Sequence, residues 1–251
     1  MAYTTIDDPS AHFQTALYAG NNTTDHNTAN DGNSDLQPDL VWIKQRTADN
    51  PHMLQDSSRG FAGDGEVNVL QSDSAGAEAT NGAFESFNTD GFGVGGTNVA
   101  SGAYNLSGSN YVAWQWKANA GTTVSVTESG NNPGGTHQAN TTSGFSIVTY
   151  TGTGATGTVT HGLGVAPKFI MIKNRDVADP WAVYYGDNTD YLVLDTNAAP
   201  VDDAAWWNDT SPSSTVFTVS TDHSVNADAE TYVAYAFAEV QGYSRISAYT
   251  G

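Results

Sequence analysis

The segment Pro38-Asp39-Leu40-Val41-Trp42-Ile43-Lys44-Gln45-Arg46 has a counterpart in Pro167-Lys168-Phe169-Ile170-Met171-Ile172-Lys173-Asn174-Arg175, at an offset of 129 residues. In both segments a proline precedes a run of apolar residues that closes on Lys-x-Arg. Because alternate residues of a strand share one face, Val41 and Ile43 take the same places as Ile170 and Ile172. The two segments therefore predict the same strand, present twice.

Three further pairs of segments follow in the same order along the chain. Phe13–Gly20 corresponds to Phe145–Gly152 at an offset of 132 residues. Phe92–Val94 corresponds to Phe217–Val219 at an offset of 125, and Tyr111–Trp116 to Tyr232–Phe237 at an offset of 121. Small drifts of this kind are expected when loops vary in length between fixed strands. We therefore predict two tandem copies of one domain.

The predicted copies span residues 1–120 and 145–245. A polar segment at 121–144 is predicted to link them, because its Asn131–Gly135 stretch is a strong turn signal, and Val124–Val126 is predicted as a short strand within it. Residues 246–251 resemble the beginning of a repeat, since Arg245–Gly251 is similar to Ser146–Gly152.

The composition favours strands and turns. Aromatic residues make up 11% of the chain and glycine is abundant, whereas long runs of helix-forming residues are missing. We predict an all-β protein of two tandem antiparallel β-sandwich-like domains, with a small barrel as the alternative. Short helical turns are predicted near 75–80 and 201–207. The strands predicted in the second copy are Phe145–Tyr150, Phe169–Asn174, Trp181–Tyr185, Tyr191–Leu194, Thr215–Ser220 and Tyr232–Ala238.

The charge balance excludes several classes of partner. Eight Lys and Arg residues stand against 27 Asp and Glu, which gives a net charge of −19. Such a surface repels phosphate backbones and anionic lipids, so nucleic-acid binding is not expected. Membrane insertion is not expected either, because the sequence has no run of 18 apolar residues. The chain has no cysteine, which removes disulfides and thiolate metal sites.

The sequence carries no catalytic signature. The six histidines are scattered without paired metal-ligand spacing, and no nucleophile motif is present. We therefore expect neither an enzyme nor a cofactor. Calcium at the Asp187–Asp190 loop or at Asp202-Asp203 is the alternative, since Ca²⁺ prefers clustered oxygens. The glycine-rich segment His161–Pro167 is interpreted as a turn.

Two groups of side chains are candidate contact residues. Trp206 and Trp207, beside Asp202 and Asp203, are predicted to form a glycan-binding site, whereas Trp114 and Trp116 are predicted to pack in the core. The second group consists of basic pairs that recur in both copies and that either pair with nearby acids or form a subunit or inter-domain contact: Lys44, Arg46, Lys173 and Arg175.

Several motifs resemble repeat domains of virion structural proteins of tailed phages, notably marine ones. The motifs are Ile6–Gln14, Leu40–Arg46, Arg59-Gly60, Phe87–Phe92, Tyr111–Lys117 and, in the second copy, His161–Gly164 and Tyr232–Tyr235. The resemblance implies a tail fibre or appendage on the particle exterior, assembled in the host cytoplasm with other virion proteins. It further implies a homo-oligomer, with a trimer favoured, and attachment to a host-surface glycan. A capsid head-decoration protein and a glycan-binding bacterial surface protein are the alternatives.

Overall fold

A computed structural model describes residues 4–61 and 66–247 of the chain. The protein is all-β, with about 5% helix and 39% strand arranged in several antiparallel sheets. It divides into two compact units, a first unit of Asp8–Gly121 and a second unit of Thr122–Gly251 together with Met1–Asp7.

The first unit contains a large sheet and a small sheet. The large sheet has the strand order β1-β9-β3-β4-β5-β6, and the small sheet has the order β2-β8-β7. A 3₁₀ turn at Pro9–Ala11, capped by the Asp8 side chain, leads into the first strand. The strands are β1 (Phe13–Ala19), β2 (His26–Thr28), β3 (Leu40–Gln45), β4 (Met53–Asp56), β5 (Val67–Gln71), β6 (Ala79–Asn81), β7 (Phe84–Phe87), β8 (Phe92–Val94) and β9 (Asn110–Trp116).

The second unit has a large sheet in the order β10-β11-β12-β19-β14-β15-β16-β17 and a strand pair, β13-β18. Two single-turn helices, α1 (Ala204–Trp207) and α2 (His223–Asn226), begin at Asp203 and Asp222, whose side chains accept hydrogen bonds from backbone N–H groups. The strands are β10 (Val124–Val126), β11 (Gly135–Asn140), β12 (Phe145–Thr151), β13 (Gly157–Thr160), β14 (Phe169–Asn174), β15 (Ala182–Tyr184), β16 (Asp190–Val193), β17 (Val201–Asp202), β18 (Val216–Val219) and β19 (Thr231–Phe237).

Corresponding strands of the two large sheets pair in the same register. Phe13 and Leu40 both lie opposite Trp116, and Phe145 and Phe169 both lie opposite Phe237. These residues are separated by the offsets of 132, 129 and 121 residues that the sequence comparison gives. Six strands therefore follow the same order in both sheets, while β10 and β11 are additional strands beside β12.

Each unit buries one face of its large sheet against its small sheet. In the first unit the core comprises Ala16, Val41, Ile43, Tyr111 and Ala113 from the large sheet with Phe84, Phe92 and Val94 from the small sheet. In the second unit it comprises Val148, Ile170, Ile172, Tyr232 and Ala234 with Val159, Phe217 and Val219, completed by Trp206, Trp207 and Val225 from the helices. Burial of these apolar surfaces is the main stabilising contribution to each unit.

The six strands predicted in the second copy are present, with ends that differ by at most one residue, and the short strand Val124–Val126 is also confirmed. The helical turn predicted near 201–207 exists only at Ala204–Trp207, and the one predicted near 75–80 is wrong, since Ala79–Asn81 is strand β6.

The predicted linker at 121–144 is also wrong, because β11 pairs along its whole length with β12. Backbone hydrogen bonds hold β11 between β10 and β12, and such pairing does not need an apolar sequence. Of the predicted terminal strand, Ile246 and Ser247 lie outside any strand, and 248–251 lie outside the described residues.

Candidate functional site

The outer face of the first large sheet carries a group of partly exposed apolar side chains. We call this group the tryptophan face. It is the face opposite the core, since the side chains of β9 alternate between the two sides of the sheet. Its members are Phe13, Leu17, Trp42, Val112, Trp114 and Trp116.

The strand register sets the members of the tryptophan face in cross-strand rows. Thr15, Trp114 and Trp42 lie opposite one another on β1, β9 and β3. The ring centroids of Trp42 and Trp114 are 6.0 Å apart, with their planes inclined by 65°. Phe13 and Trp116 follow in the next row, with their centroids 5.0 Å apart. Aromatic pairs at such distances stabilise the sheet beyond the area that they bury.

The tryptophan face is open to solvent along β1 and β9. Leu17 is 66% exposed, and Trp42, Val112 and Trp114 are half-buried. The indole N–H of Trp42 is shielded from solvent but has no acceptor among the described residues. Large apolar side chains grouped in this way on a surface are typical of contact sites.

The prediction that Trp114 and Trp116 pack in the core is wrong. The residues of β9 that enter the core are Tyr111 and Ala113, while both tryptophans point to the other side and stay half-buried. Alternation identifies which residues share a face but leaves open which face turns inward. In this sheet the small Ala113 lies between Ala16 and Ile43, where the strands approach the second layer.

Most of the equivalent face of the second unit is buried, although Phe237, the counterpart of Trp116, is half-buried. Tyr235 and Met171 take the places of Trp114 and Trp42, and they are 0% and 2% exposed. Val233 and Phe145, the counterparts of Val112 and Phe13, are also buried. The outer face of the large sheet is therefore mostly buried in the second unit and partly open in the first unit.

The two units also differ at the edge of the large sheet. In the second unit β11 pairs with the outer side of β12. In the first unit β1 takes the place of β12, and no strand within residues 4–61 and 66–247 pairs with its outer side. Thr15 and Leu17 on this edge are exposed, and sequence reasoning missed both residues.

The predicted glycan site at Trp206 and Trp207 is not an exposed platform. The two indoles are 4% and 2% exposed and belong to the core of the second unit. Trp206 stacks on Tyr191 with centroids 3.6 Å apart, and the Trp207 indole N–H donates to the Asp190 carbonyl oxygen at 3.1 Å. Neighbouring residues of a strand point to opposite sides, but these two lie on a helical turn and both face inward.

The acidic residues beside these tryptophans have separate positions. The Asp203 side chain accepts a hydrogen bond from the Ala205 N–H at 2.9 Å and caps α1. Asp202 is exposed on β17. In the other candidate calcium loop, Asp187 accepts bonds from the backbone and hydroxyl of Thr189, the usual geometry of an Asx turn. Within the described part of the chain, no three His, Asp or Glu side chains are grouped as metal ligands.

The recurring lysines bind the loop that follows their own strand. Lys44 Nζ donates to the Asn50 carbonyl oxygen at 2.6 Å and lies 3.9 Å from Asp49. Lys173 Nζ donates to the carbonyl oxygens of Asn174, at 2.6 Å, and of Val177 in the following loop, at 3.4 Å. Burial lowers the pKa of Lys173 to about 8. Both lysines therefore hold a loop within their own unit, while Arg46 is exposed and Arg175 is half-buried.

Two buried carboxylates stabilise the first unit. Asp39 accepts hydrogen bonds from the Ser57 hydroxyl and from the N–H groups of Ala118, Ala120 and Gly121, at 2.7 to 2.9 Å. These bonds fix the chain where it leaves β9. Sequence comparison gave no signal for this role, because Lys168 stands at the equivalent position of the second unit.

The second carboxylate, Asp56, lies 2.6 Å from Nε of Arg59, whose guanidinium also binds Glu78 at 2.7 Å. The side chains of Arg59 and Asp56 are fully buried. Arg59 belongs to a motif on which the phage resemblance rests, and here its role is structural.

Two histidines meet at the turn that begins at His161. The Leu163 N–H donates to Nδ1 of His161 at 3.2 Å, so this imidazole is neutral. Nδ1 of His137 is buried without a partner among the described residues and lies against Gly162. Burial lowers the pKa of both histidines. The backbone at Gly162 and Gly164 has positive φ, which agrees with the predicted turn.

No helix in the described part of the chain is long and apolar enough to span a membrane. Residues 8–251 match one protein family, whose description is "Domain of unknown function (DUF7483)". No curated protein and no solved structure matches the chain.

Proposed function

The chain belongs to the DUF7483 family, and we propose that it is a structural protein of a tailed-phage virion, located in the tail fibre or another appendage. In this proposal it is built from two tandem copies of one sandwich-like domain. It assembles with other virion proteins and contacts the host surface. The proposal rests on the phage-like motifs together with the architecture of the two units.

The observation that carries the proposal is the common register of the two large sheets. Residues at three different offsets, Phe13 with Phe145, Leu40 with Phe169 and Trp116 with Phe237, take the same places in the two ladders. Duplication of a rigid domain suits a protein that spans distance or presents surfaces. In the chain as far as it is described, the conspicuous buried polar residues, Asp39 and Arg59, serve the scaffold rather than a reaction.

The tryptophan face is the surface best suited to the outward contact. Trp42 and Trp114 are half-buried, so part of each indole is available, and such rings bind either the apolar side of a sugar or another protein. Trp206 and Trp207 are too deeply buried to do so. The host-surface contact is therefore assigned to the first unit.

Immunogold labelling of purified particles tests the location. Antibodies against this chain are expected to label tails or their appendages, and the label should disappear when the antibody is first absorbed with the purified chain. Label on heads would support the head-decoration alternative. Absence of label from all particles would contradict a virion role and leave the bacterial surface protein.

A glycan array tests the attachment part of the proposal. The intact chain is expected to bind one class of host-surface glycan, and the Trp114→Ala variant is expected to lose that binding. Trp206→Phe, which keeps an aromatic ring in the core, is the matched control and should bind as the natural chain does. Retained binding by Trp114→Ala would remove the tryptophan face from the attachment role.

A further inference from the structure

We propose that strand β1 of this chain pairs with β1 of a second copy, joining the two first-unit sheets edge to edge in a two-fold dimer. The inference deepens the proposed assembly role and rests on it, because it names the partner at one surface. It concerns the edge of the sheet rather than the tryptophan face.

The hydrogen-bonding pattern shows which groups of β1 are free. The N–H of Gly20 donates to Ser109 and the N–H of Lys117 donates to His12, so both pairs are hydrogen-bonded between β1 and β9. Bonding alternates along an antiparallel pair. Gln14, Ala16 and Tyr18 therefore bond toward β9, while the backbone groups of Thr15 and Leu17 point outward from the sheet.

The same groups are satisfied in the second unit. Ile147 and Thr149 are the counterparts of Thr15 and Leu17, and they lie opposite Gln138 and Thr136 on β11. The strand arrangement of this domain thus accepts a further antiparallel strand at this edge. The first unit has the edge, but no strand in the described part of the chain occupies it.

The sequence of β1 lacks the features that keep edge strands from pairing. Natural edge strands are short, charged, bulged or interrupted by proline. Strand β1 is seven residues long, reads Phe-Gln-Thr-Ala-Leu-Tyr-Ala and pairs with β9 without a bulge. It contains no charged residue, glycine or proline, and Leu17 is 66% exposed on it. Such a strand is a template for another strand.

The lack of charged residues on β1 suits a second copy as the occupant. The chain carries a net charge of −19, so two copies repel each other over most of their surfaces. The uncharged β1 is a place where they can meet without opposing carboxylates. A two-fold axis perpendicular to the sheet makes the contact self-complementary, because each β1 then offers the same outward groups to the other.

Sedimentation velocity of the full chain over a wide concentration range tests the pairing. The natural chain is expected to change reversibly from monomer to dimer as its concentration rises. Leu17→Glu sets two carboxylates near the joined edge and is expected to weaken the dimer by at least roughly ten-fold. Thr15→Pro removes one outward N–H donor and should also weaken it.

Val124→Glu is the matched control, because Val124 is 52% exposed on β10, the edge strand of the other large sheet. It should dimerise as the natural chain does. Circular dichroism melting confirms that each variant is folded. A natural chain that stays monomeric, a trimer, or equal weakening by Leu17→Glu and Val124→Glu would overturn the proposal.

The two proposals fail separately. A dimer that depends on Leu17, without virion labelling, contradicts only the proposed function. Labelled tails with a monomeric chain contradict only the β1 pairing. A two-fold dimer also differs from the trimer that the phage resemblance implies, so the stoichiometry alone distinguishes this inference from the sequence-based expectation.

Discussion

Trp114 lies directly opposite Trp42 across β9 and β3, with ring centroids 6.0 Å apart. Their counterparts in the second unit, Tyr235 and Met171, are also cross-strand neighbours, but they are buried. The same strand register therefore presents a half-buried pair of side chains in the first unit and a buried pair in the second. The open surface belongs to the unit in which the outer side of β1 has no partner strand among the described residues.

The core position of Trp207 makes it a stability residue. Trp207→Ala is expected to lower the free energy of unfolding by about 3 to 5 kcal/mol, because a buried indole is replaced by a cavity. Leu17→Ala is the control and should change it by less than about 0.5 kcal/mol, since Leu17 is exposed. Urea unfolding measures both. Equal stability of the two variants would contradict the burial of Trp207.

Asp39 should stabilise the first unit far more than its counterpart stabilises the second. Asp39→Ala leaves three backbone N–H groups and the Ser57 hydroxyl without their acceptor, and each lost charge-assisted bond costs about 1.5 to 3 kcal/mol. The free energy of unfolding is therefore expected to fall by several kcal/mol. Lys168→Ala, at the exposed equivalent position, is expected to have almost no effect. Denaturant unfolding that gives similar values for both variants would argue against this role.

Arg59 is expected to be sensitive to loss of its charge. Arg59→Met removes the partner of the buried Asp56 carboxylate, and breaking a buried pair in this way costs about 3 to 5 kcal/mol. Arg46→Met removes an exposed guanidinium and serves as the control. Thermal melting should show a large decrease for Arg59→Met and little change for Arg46→Met. A melting temperature unchanged by Arg59→Met would contradict the buried network.

The two histidines predict a dependence of stability on pH. Burial lowers the pKa of His137 and His161 below the usual 6.5, so the unfolded chain takes up protons first as the pH falls. The free energy of unfolding should therefore decrease as the pH drops below about 6.5. His137→Phe removes one of these groups, and its melting temperature should fall less between about pH 7.5 and 5.5. Parallel decreases in the two proteins would contradict this assignment.

The sequence comparison identified the corresponding strands of the two units, because insertions between repeats change loops and leave ladders intact. The residue spacing alone aligned Phe13, Leu40 and Trp116 with their counterparts in the second unit. The inward face of the sheet was not predictable, since alternation is symmetric and Trp114 is more apolar than the Ala113 that enters the core. Trp206 and Trp207 were misplaced because a single helical turn turned both rings inward.

The polar segment before the second copy was misread for a different reason. Residues of β11 such as Thr136 and Gln138 are held by backbone pairing with β12, which composition does not reveal. This additional strand distinguishes the two units, because it pairs with the outer side of β12, whereas the outer side of the equivalent strand β1 stays open.

Amide hydrogen exchange, resolved by residue, tests this difference most directly. In dilute solution the N–H groups of Thr15 and Leu17 should exchange quickly, whereas those of Ile147 and Thr149 should be protected by β11. At high concentration, Thr15 and Leu17 should gain protection while Ile147 and Thr149 stay unchanged. Protection of Thr15 and Leu17 that is already equal to that of Ile147 and Thr149 in the dilute monomer would contradict the open edge. Fast exchange at every concentration would contradict its pairing with a second copy.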